Sequence, residues 1–431
     1  MLTNDAASPK WTMVGLAATA SFATYFCMYV YRKSISAATF DGLDNWGISF
    51  KSSLIIAQVF GYMLSKFIGI RFMATLNMKR RPYYLLGLIG TALVCLAGLA
   101  FTPMVLGPVW LFLNGLSLGL IWGLVFSYIE GRKYTDLLAL ILSTNFIFSS
   151  GMVKSLGRMV ITDWGVEEAR MPFYLGCLFI PLLLASTWLL AKIPPPNAAE
   201  RLDRGDRLPM DARQRSNLVK AFFPMVFSLV VLNIIFTILR DLKDNYAVEI
   251  IRSIHPDYPP SIFARMETLA AIVVFLGLLT LTNIRNHYTS LKRQAIVILA
   301  GISGLWISTG LMITHPGQAL GCMVTYTICL YSAYNTLQCL LIDRLLSCFR
   351  IRGNTGYLFY IMDAMAYLGS CIIIIMNETG SAKADWYHYF VQLSLWMPLV
   401  GMATLTTGAI FIYQLYKKHQ PTNPQHVEST L

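Results

Sequence analysis

Arginine is the side chain best suited to gripping an oxyanion. Its planar guanidinium stays charged at any working pH and offers a fork of donors that matches phosphate or carboxylate oxygens. Two arginines in this chain stand where arginine is costly. Arg32 lies in the stretch Tyr25-Phe-Cys-Met-Tyr29-Val-Tyr-Arg32-Lys33, near the far end of the first long apolar run, and Arg240 directly follows the run Leu218–Leu239. A cation near the bilayer centre costs roughly 2.5–3.5 kcal/mol, so each must reach an interface or face a wet cavity. The two occupy equivalent places in two halves of the chain and read as an anion-binding pair. Snorkelling to the outer interface is the alternative. Against it, helix ends on that side mostly lack cations.

Other ionisable residues inside apolar runs join this pair. Lys66, in Gly61-Tyr-Met-Leu-Ser-Lys66-Phe-Ile-Gly69, has apolar turns on both sides, which makes snorkelling harder; a buried ion pair is its competing role. Asp363, in Tyr360-Ile-Met-Asp363-Ala, is the clearest acid within a span. It either carries a coupled proton or balances Arg240 or Lys66 in the empty cavity, and the sequence leaves both roles open. Lys154 and Arg158 stand four apart and share a helix face, either lining the cavity or snorkelling outward. Tyr25 and Tyr29 precede Arg32 by seven and three residues, on its own face, where their hydroxyls could reach a ligand. Asn145 is a further candidate for cavity lining. Glu267 beside Arg265 reads as a local interfacial pair. Asn377-Glu-Thr379 is a glycosylation triplet on the outer side.

These residues need a frame that holds them at membrane depth. Hydrophobic residues make up 56% of the 431, charged ones only 13%, and mean hydropathy is +0.56. Soluble chains carry about 25% charged residues, so this is a polytopic membrane protein. Its first apolar run is long enough to span, and no small-residue cleavage site follows it, which argues against a signal peptide. Runs of about 20 apolar residues predict twelve helices, near 12–38, 51–75, 83–103, 106–130, 136–161, 171–192, 218–248, 261–284, 291–313, 317–342, 354–376 and 386–416. The polar, arginine-rich segment 193–217 separates residues 1–192 from 218–431 as two six-helix bundles. Basic loops (Lys79-Arg80-Arg81, Arg132-Lys133, 193–217, Lys292-Arg293, Lys417-Lys418) fall on one side, which places both termini in the cytoplasm. The net charge of +12 therefore reads as topology, with no nucleic acid implied. The eight cysteines and six histidines show no metal-ligand spacing. There is no phosphate-cradling nucleotide loop, nucleophile elbow or zinc-protease motif, so neither an enzyme nor a cofactor is expected. Six plus six helices about a basic central loop is the architecture of the major facilitator superfamily, an all-α fold of two pseudo-symmetric bundles with its substrate between them near the midplane.

The motifs narrow this further. Tyr25-x3-Tyr29-x2-Arg32-Lys33 with Ala37-Ala38, Ser65-Lys66-Phe67, Asn114-Gly115-x3-Gly119-x2-Trp122, Asn233 seven before Arg240, and Gly356-Tyr-Leu-Phe-Tyr360 together resemble the organophosphate:phosphate antiporters, the glycerol-3-phosphate transporter group. The resemblance implies that Arg32 and Arg240 grip a substrate phosphoryl group and that Lys66, Tyr25 and Tyr29 assist. Three features depart from that pattern. Phe148 stands where the group has a fifth-helix histidine, no Pro-Pro follows Trp122, and Met73–Lys79 contains no acid.

The sequence thus predicts a monomeric inner-membrane carrier that moves a small anion by alternating access, with phosphate or its esters first and organic carboxylates second. The bilayer and the solute are its partners. A non-transporting receptor on the same fold is the alternative, and the missing loop acid favours it slightly.

Overall fold

A computed structural model describes residues 11–74, 80–130, 132, 134–194, 220, 222–282, 284, 286–348, 355–380 and 385–419. The predicted central segment, apart from its first two residues, lies outside the described residues. The helices of the first half are α1 (Trp11–Lys33), α2 (Phe50–Ala74), α3 (Arg81–Phe101), α4 (Gly107–Leu118), α5 (Ile121–Ile129), α6 (Thr135–Thr162), α7 (Met171–Leu178) and α8 (Ile180–Ala191). Those of the second half are α9 (Phe223–Asn245), α10 (Ala247–Ile254), α11 (Ile262–Thr282), α12 (His287–Thr314), α13 (Ala319–Asn335), α14 (Ile342–Cys348), α15 (Thr355–Thr379) and α16 (Trp386–His419). Between α1 and α2 a two-residue-strand hairpin, β1 (Asp44–Asn45) and β2 (Ile48–Ser49), turns through Trp46 and Gly47, both at positive φ. A tight hairpin turn needs that backbone at both central positions.

Ten helical segments among the described residues are long and apolar enough to cross a membrane, and α7 with α8 makes another span, bent by 47°. The bend falls at Phe179, just before Pro181, whose ring cannot continue the hydrogen-bond ladder. The remaining predicted span is α13 and α14, joined by a π-helical turn over Thr336–Leu341. Proline in the first turn of α3, α4 and α9 uses the place where a missing N–H does no harm.

Without a hydrophobic drive between helices in lipid, close packing depends on small residues. A Cβ on Gly115 would lie 2.0 Å from the Gln58 carbonyl oxygen, and one on Gly61 would lie 2.1 Å from that of Phe112. Helices α2 and α4 therefore touch backbone to backbone. Beside this contact Asn114 ties α1, α2 and α3 to its own helix, α4. Its Nδ2 donates to the carbonyls of Tyr31 and Ala92, and its Oδ1 accepts from Gln58 Nε2, which also donates to the Arg32 carbonyl at 3.0 Å. The backbone on which Arg32 stands is thus fixed from two sides.

The halves meet along two helix pairs, α2 with α15 and α6 with α11. At the end of the bundle away from Trp11 and His419, called distal here, the seam is dense. Arg252 pairs with Asp41 at 2.8 Å, Lys51 with Glu249 at 2.6 Å, Ser49 donates to Glu378 at 2.7 Å, and the Ala264 amide donates to Ser155 at 2.8 Å. At the proximal end the Arg344–Asp136 pair is longer, at 3.9 Å.

Candidate functional site

The arginines converge. Arg32 on α1 and Arg240 on α9, 5% and 6% exposed, line one cavity at the centre of the bundle together with Tyr25, Tyr29, Lys66 and Asp363. The Arg32 guanidinium carbon lies over the Tyr62 ring, 3.8 Å from its centre. That of Arg240 sits 4.8 Å from the Tyr334 ring centre and donates to its hydroxyl. Tyr367 stands between them, its ring centre 5.7 Å from one guanidinium carbon and 5.8 Å from the other. The two cations are therefore no farther apart than the sum of those distances. One small ligand could span them. Stacking on aromatic faces also offsets part of what guanidinium loses on leaving water.

The two arginines differ in their counter-charges. Arg240 is forked onto its neighbour Asp241, with Nε and Nη2 both on Oδ1 at 3.1 and 2.9 Å, while Asp241 Oδ2 accepts from Ser370. Arg32 pairs with no carboxylate among the described residues. Lys66 pairs with Asp363 at 3.4 Å, which decides between the two counter-charges open to that acid. Asp363 also accepts from Gln338 Nε2 at 2.9 Å, and the same nitrogen donates to Asn233. The space left inside is small, about 30 Å³. A substrate needs the cavity to widen.

Toward the distal end lies a second layer of buried charge. Lys33 donates to Asn245 at 2.7 Å, Lys154 lies 3.6 Å from Asp244, and Lys243 reaches both Asp244 at 3.2 Å and Glu267. Tyr331 donates to the other Asp244 oxygen at 2.8 Å. Across both layers the buried cations are Arg32, Lys33, Lys66, Lys154, Arg240 and Lys243, against the carboxylates Asp241, Asp244, Glu267 and Asp363. Among the described residues of these two layers, basic side chains outnumber acidic ones by six to four.

This geometry bears on several sequence expectations. Glu267 pairs across the bundle with Lys243, not with Arg265. Lys154 does not line the cavity; it bridges the halves to Asp244. For Arg158 the outward alternative fits: it lies outside the cavity, partly exposed and 4.0 Å from Glu168 near the distal end. Asn145 acts as a clamp, its Nδ2 donating to the Phe22 carbonyl on α1 and its Oδ1 accepting from Ser149. Asn377, in the last turns of α15, is only 6% exposed, so the glycosylation triplet is packed away. Phe148, at the position of the expected histidine, packs on Phe22 and Phe26. Tyr62, Tyr334, Gln338 and Tyr367 line the cavity without having been singled out. Tyr367 carried a signal: it follows Asp363 by four residues, one helical turn away on the same face.

A family model described as a family of unknown function, DUF5690, matches residues 34–415. No curated protein matches the chain by sequence. Among solved structures the chain is similar to a D-xylose–proton symporter, at 14% identity over 91% of this chain and 97% of that one, with a TM-score of 0.61. It is similar to the nucleoside transporter NupG, at 12% identity over 92% and 98%, with a TM-score of 0.60. It is also similar to a bacterial homolog of the human lysosomal transporter Spinster in an inward-facing, unoccupied form, at 13% identity over 95% and 98%, with a TM-score of 0.61. At such identities the likeness establishes the major facilitator fold and leaves the solute open.

Proposed function

The chain belongs to the family of unknown function DUF5690, and from that premise and its fold we propose that it is a secondary transporter that moves a small anion by alternating access. The observation that carries this reading is the convergence of Arg32 and Arg240 on one cavity, with Arg32 lacking a carboxylate partner among the described residues. Phosphate and phosphate esters are the first substrate class, since two forked cations and Lys66 match a tetrahedral dianion, and organic carboxylates are the second. Tyr25 and Tyr29 offer hydroxyls along the same wall.

Mechanistically, the uncompensated guanidinium of Arg32 resists enclosure in a dry cavity beside Arg240, and an anion bridging the two removes that resistance. Closure then favours the loaded carrier, which makes exchange the expected mode. Asp363 holds Lys66 while the cavity is empty, and an arriving anion competes with it for that lysine. The dense distal seam and the looser proximal pair support a form that communicates with the proximal side. The carrier is read as a monomer of the plasma (inner) membrane with both termini cytoplasmic, consistent with the basic loops.

Proteoliposomes loaded with phosphate test the reading. Labelled phosphate, glycerol phosphate, sulfate and succinate are offered outside, with wild type compared to Arg32→Ala. Exchange of one anion class, lost in the variant, is expected. Failure of every anion to exchange, or uptake of a neutral sugar or nucleoside that is indifferent to Arg32, would overturn it.

A further inference from the structure

A second cavity, of about 210 Å³, lies away from the central site between α9, α12, α16 and the π-helical turn. Leu229, Leu232, Ile298, Leu405 and Ile412 supply apolar wall. The Ser228 hydroxyl there is already spent on the Pro224 carbonyl at 2.8 Å. Water has few polar partners in such a space and does not fill it. A void this large also forfeits the packing that surrounding side chains would otherwise have. An apolar chain is the fitting occupant.

The mouth is charged. Lys292, in the second turn of α12, lines the cavity and carries its ammonium 4.6 Å from the Tyr288 ring centre, and Tyr288 stacks on Tyr416 at 3.6 Å. A cation and aromatic rings at the end of an apolar slot match the two parts of an anionic phospholipid: acyl chain inside, phosphate at the rim.

This slot also shares a wall with the central site. Leu337 and Leu341 of the π-helical turn Thr336–Leu341 face the slot, while Gln338 and Cys339 of the same turn face the central cavity. Gln338 is the residue that donates to both Asp363 and Asn233. A π turn holds one residue more than an α turn and is uncommon outside functional places. Packing on its outer face bears directly on where Gln338 points.

We propose that this slot binds one acyl chain of an anionic phospholipid, with its phosphate on Lys292, and that occupancy supports the π turn that presents Gln338 to Asp363. The lipid site does not depend on which solute the central cavity carries.

The test uses the full chain in nanodiscs of phosphatidylcholine with a minor fraction of phosphatidylglycerol. Native mass spectrometry counts retained lipid, and hydrogen exchange follows the backbone of 334–342. Wild type should keep one phosphatidylglycerol in preference to phosphatidylcholine, and exchange in that segment should slow. Lys292→Gln should lower the preference about fivefold, the worth of one lysine at a charged membrane surface. Ala295→Phe, which fills the slot, should abolish retention. If that variant does not fold, Lys292→Gln alone decides. Equal retention of both lipids by wild type, an unchanged preference in Lys292→Gln, or displacement of the lipid by inorganic phosphate in the bath would overturn the proposal.

Discussion

Replacing Asp363 with asparagine keeps the shape of the side chain and removes its charge. In wild type its carboxylate lies 3.4 Å from the Lys66 ammonium, and both groups are nearly buried. At an effective dielectric near 20 a unit pair at that distance interacts by about 5 kcal/mol. Only part of that becomes available to a substrate, because an anion entering the cavity must also shed its own hydration. A gain of about 1–3 kcal/mol remains, the usual range for coupled neighbours, equal to roughly five- to 150-fold in affinity. Asp363→Asn should therefore bind phosphate more tightly than wild type, and Lys66→Gln more weakly. The double variant should show a coupling energy of about 1–3 kcal/mol. Titration calorimetry on the four proteins at one ionic strength reads all three quantities. Phosphate affinity in Asp363→Asn that is unchanged or weaker would refute the idea that this carboxylate stands in the substrate's place.

Other outcomes follow from the same geometry. Arg32→Lys keeps the charge but loses the fork and the stacking on Tyr62, so phosphate affinity should fall about tenfold, the worth of one charge-assisted hydrogen bond; the same calorimetry checks it. Gly115→Ala sets a methyl against the Gln58 carbonyl, and the melting temperature should drop by the equivalent of about 1–3 kcal/mol. The distal clasp gives a pH dependence. Arg252 donates to Asp41 and holds its carboxyl below the ordinary value. A lowered carboxyl contributes fully above its ordinary value and loses the contribution as pH falls through the lowered one. The difference in distal spin-label distances between wild type and Asp41→Asn, which isolates this pair, should thus be constant from about pH 8 to pH 5 and vanish only in stronger acid. Added salt should weaken this half-exposed pair.

The positions of the central residues were legible because lipid makes charge conspicuous. Arg32, Lys66, Arg240 and Asp363 stand out from apolar runs, and the equivalence of the two arginines in two halves already suggested one cavity. Pairing was not legible, since which helices face each other at a given depth is a tertiary fact. Glu267 has Arg265 two residues away in sequence, yet residues two apart on a helix do not face each other, and its partner is Lys243 on another helix. The run Arg240-Asp-Leu-Lys-Asp-Asn245 held an unread signal: five polar residues in six cover every side of a helix, so protein must surround it. Lys154 was visible as a cation within a span, open between lining the cavity and snorkelling outward, but Asp244, which balances it, lies in the other half. The π turn has no signature in the residues Thr336–Leu341.

Anion-dependent thermal stabilisation of the purified protein tests the two-arginine site most directly, with wild type set against Arg32→Ala and Arg240→Ala. The panel holds phosphate, phosphate esters, sulfate and carboxylates. A ligand at about a hundred times its dissociation constant stabilises by about 2.7 kcal/mol. A shift with one anion class that disappears in both variants is expected. A shift that survives both substitutions, or no shift with any anion, would contradict it.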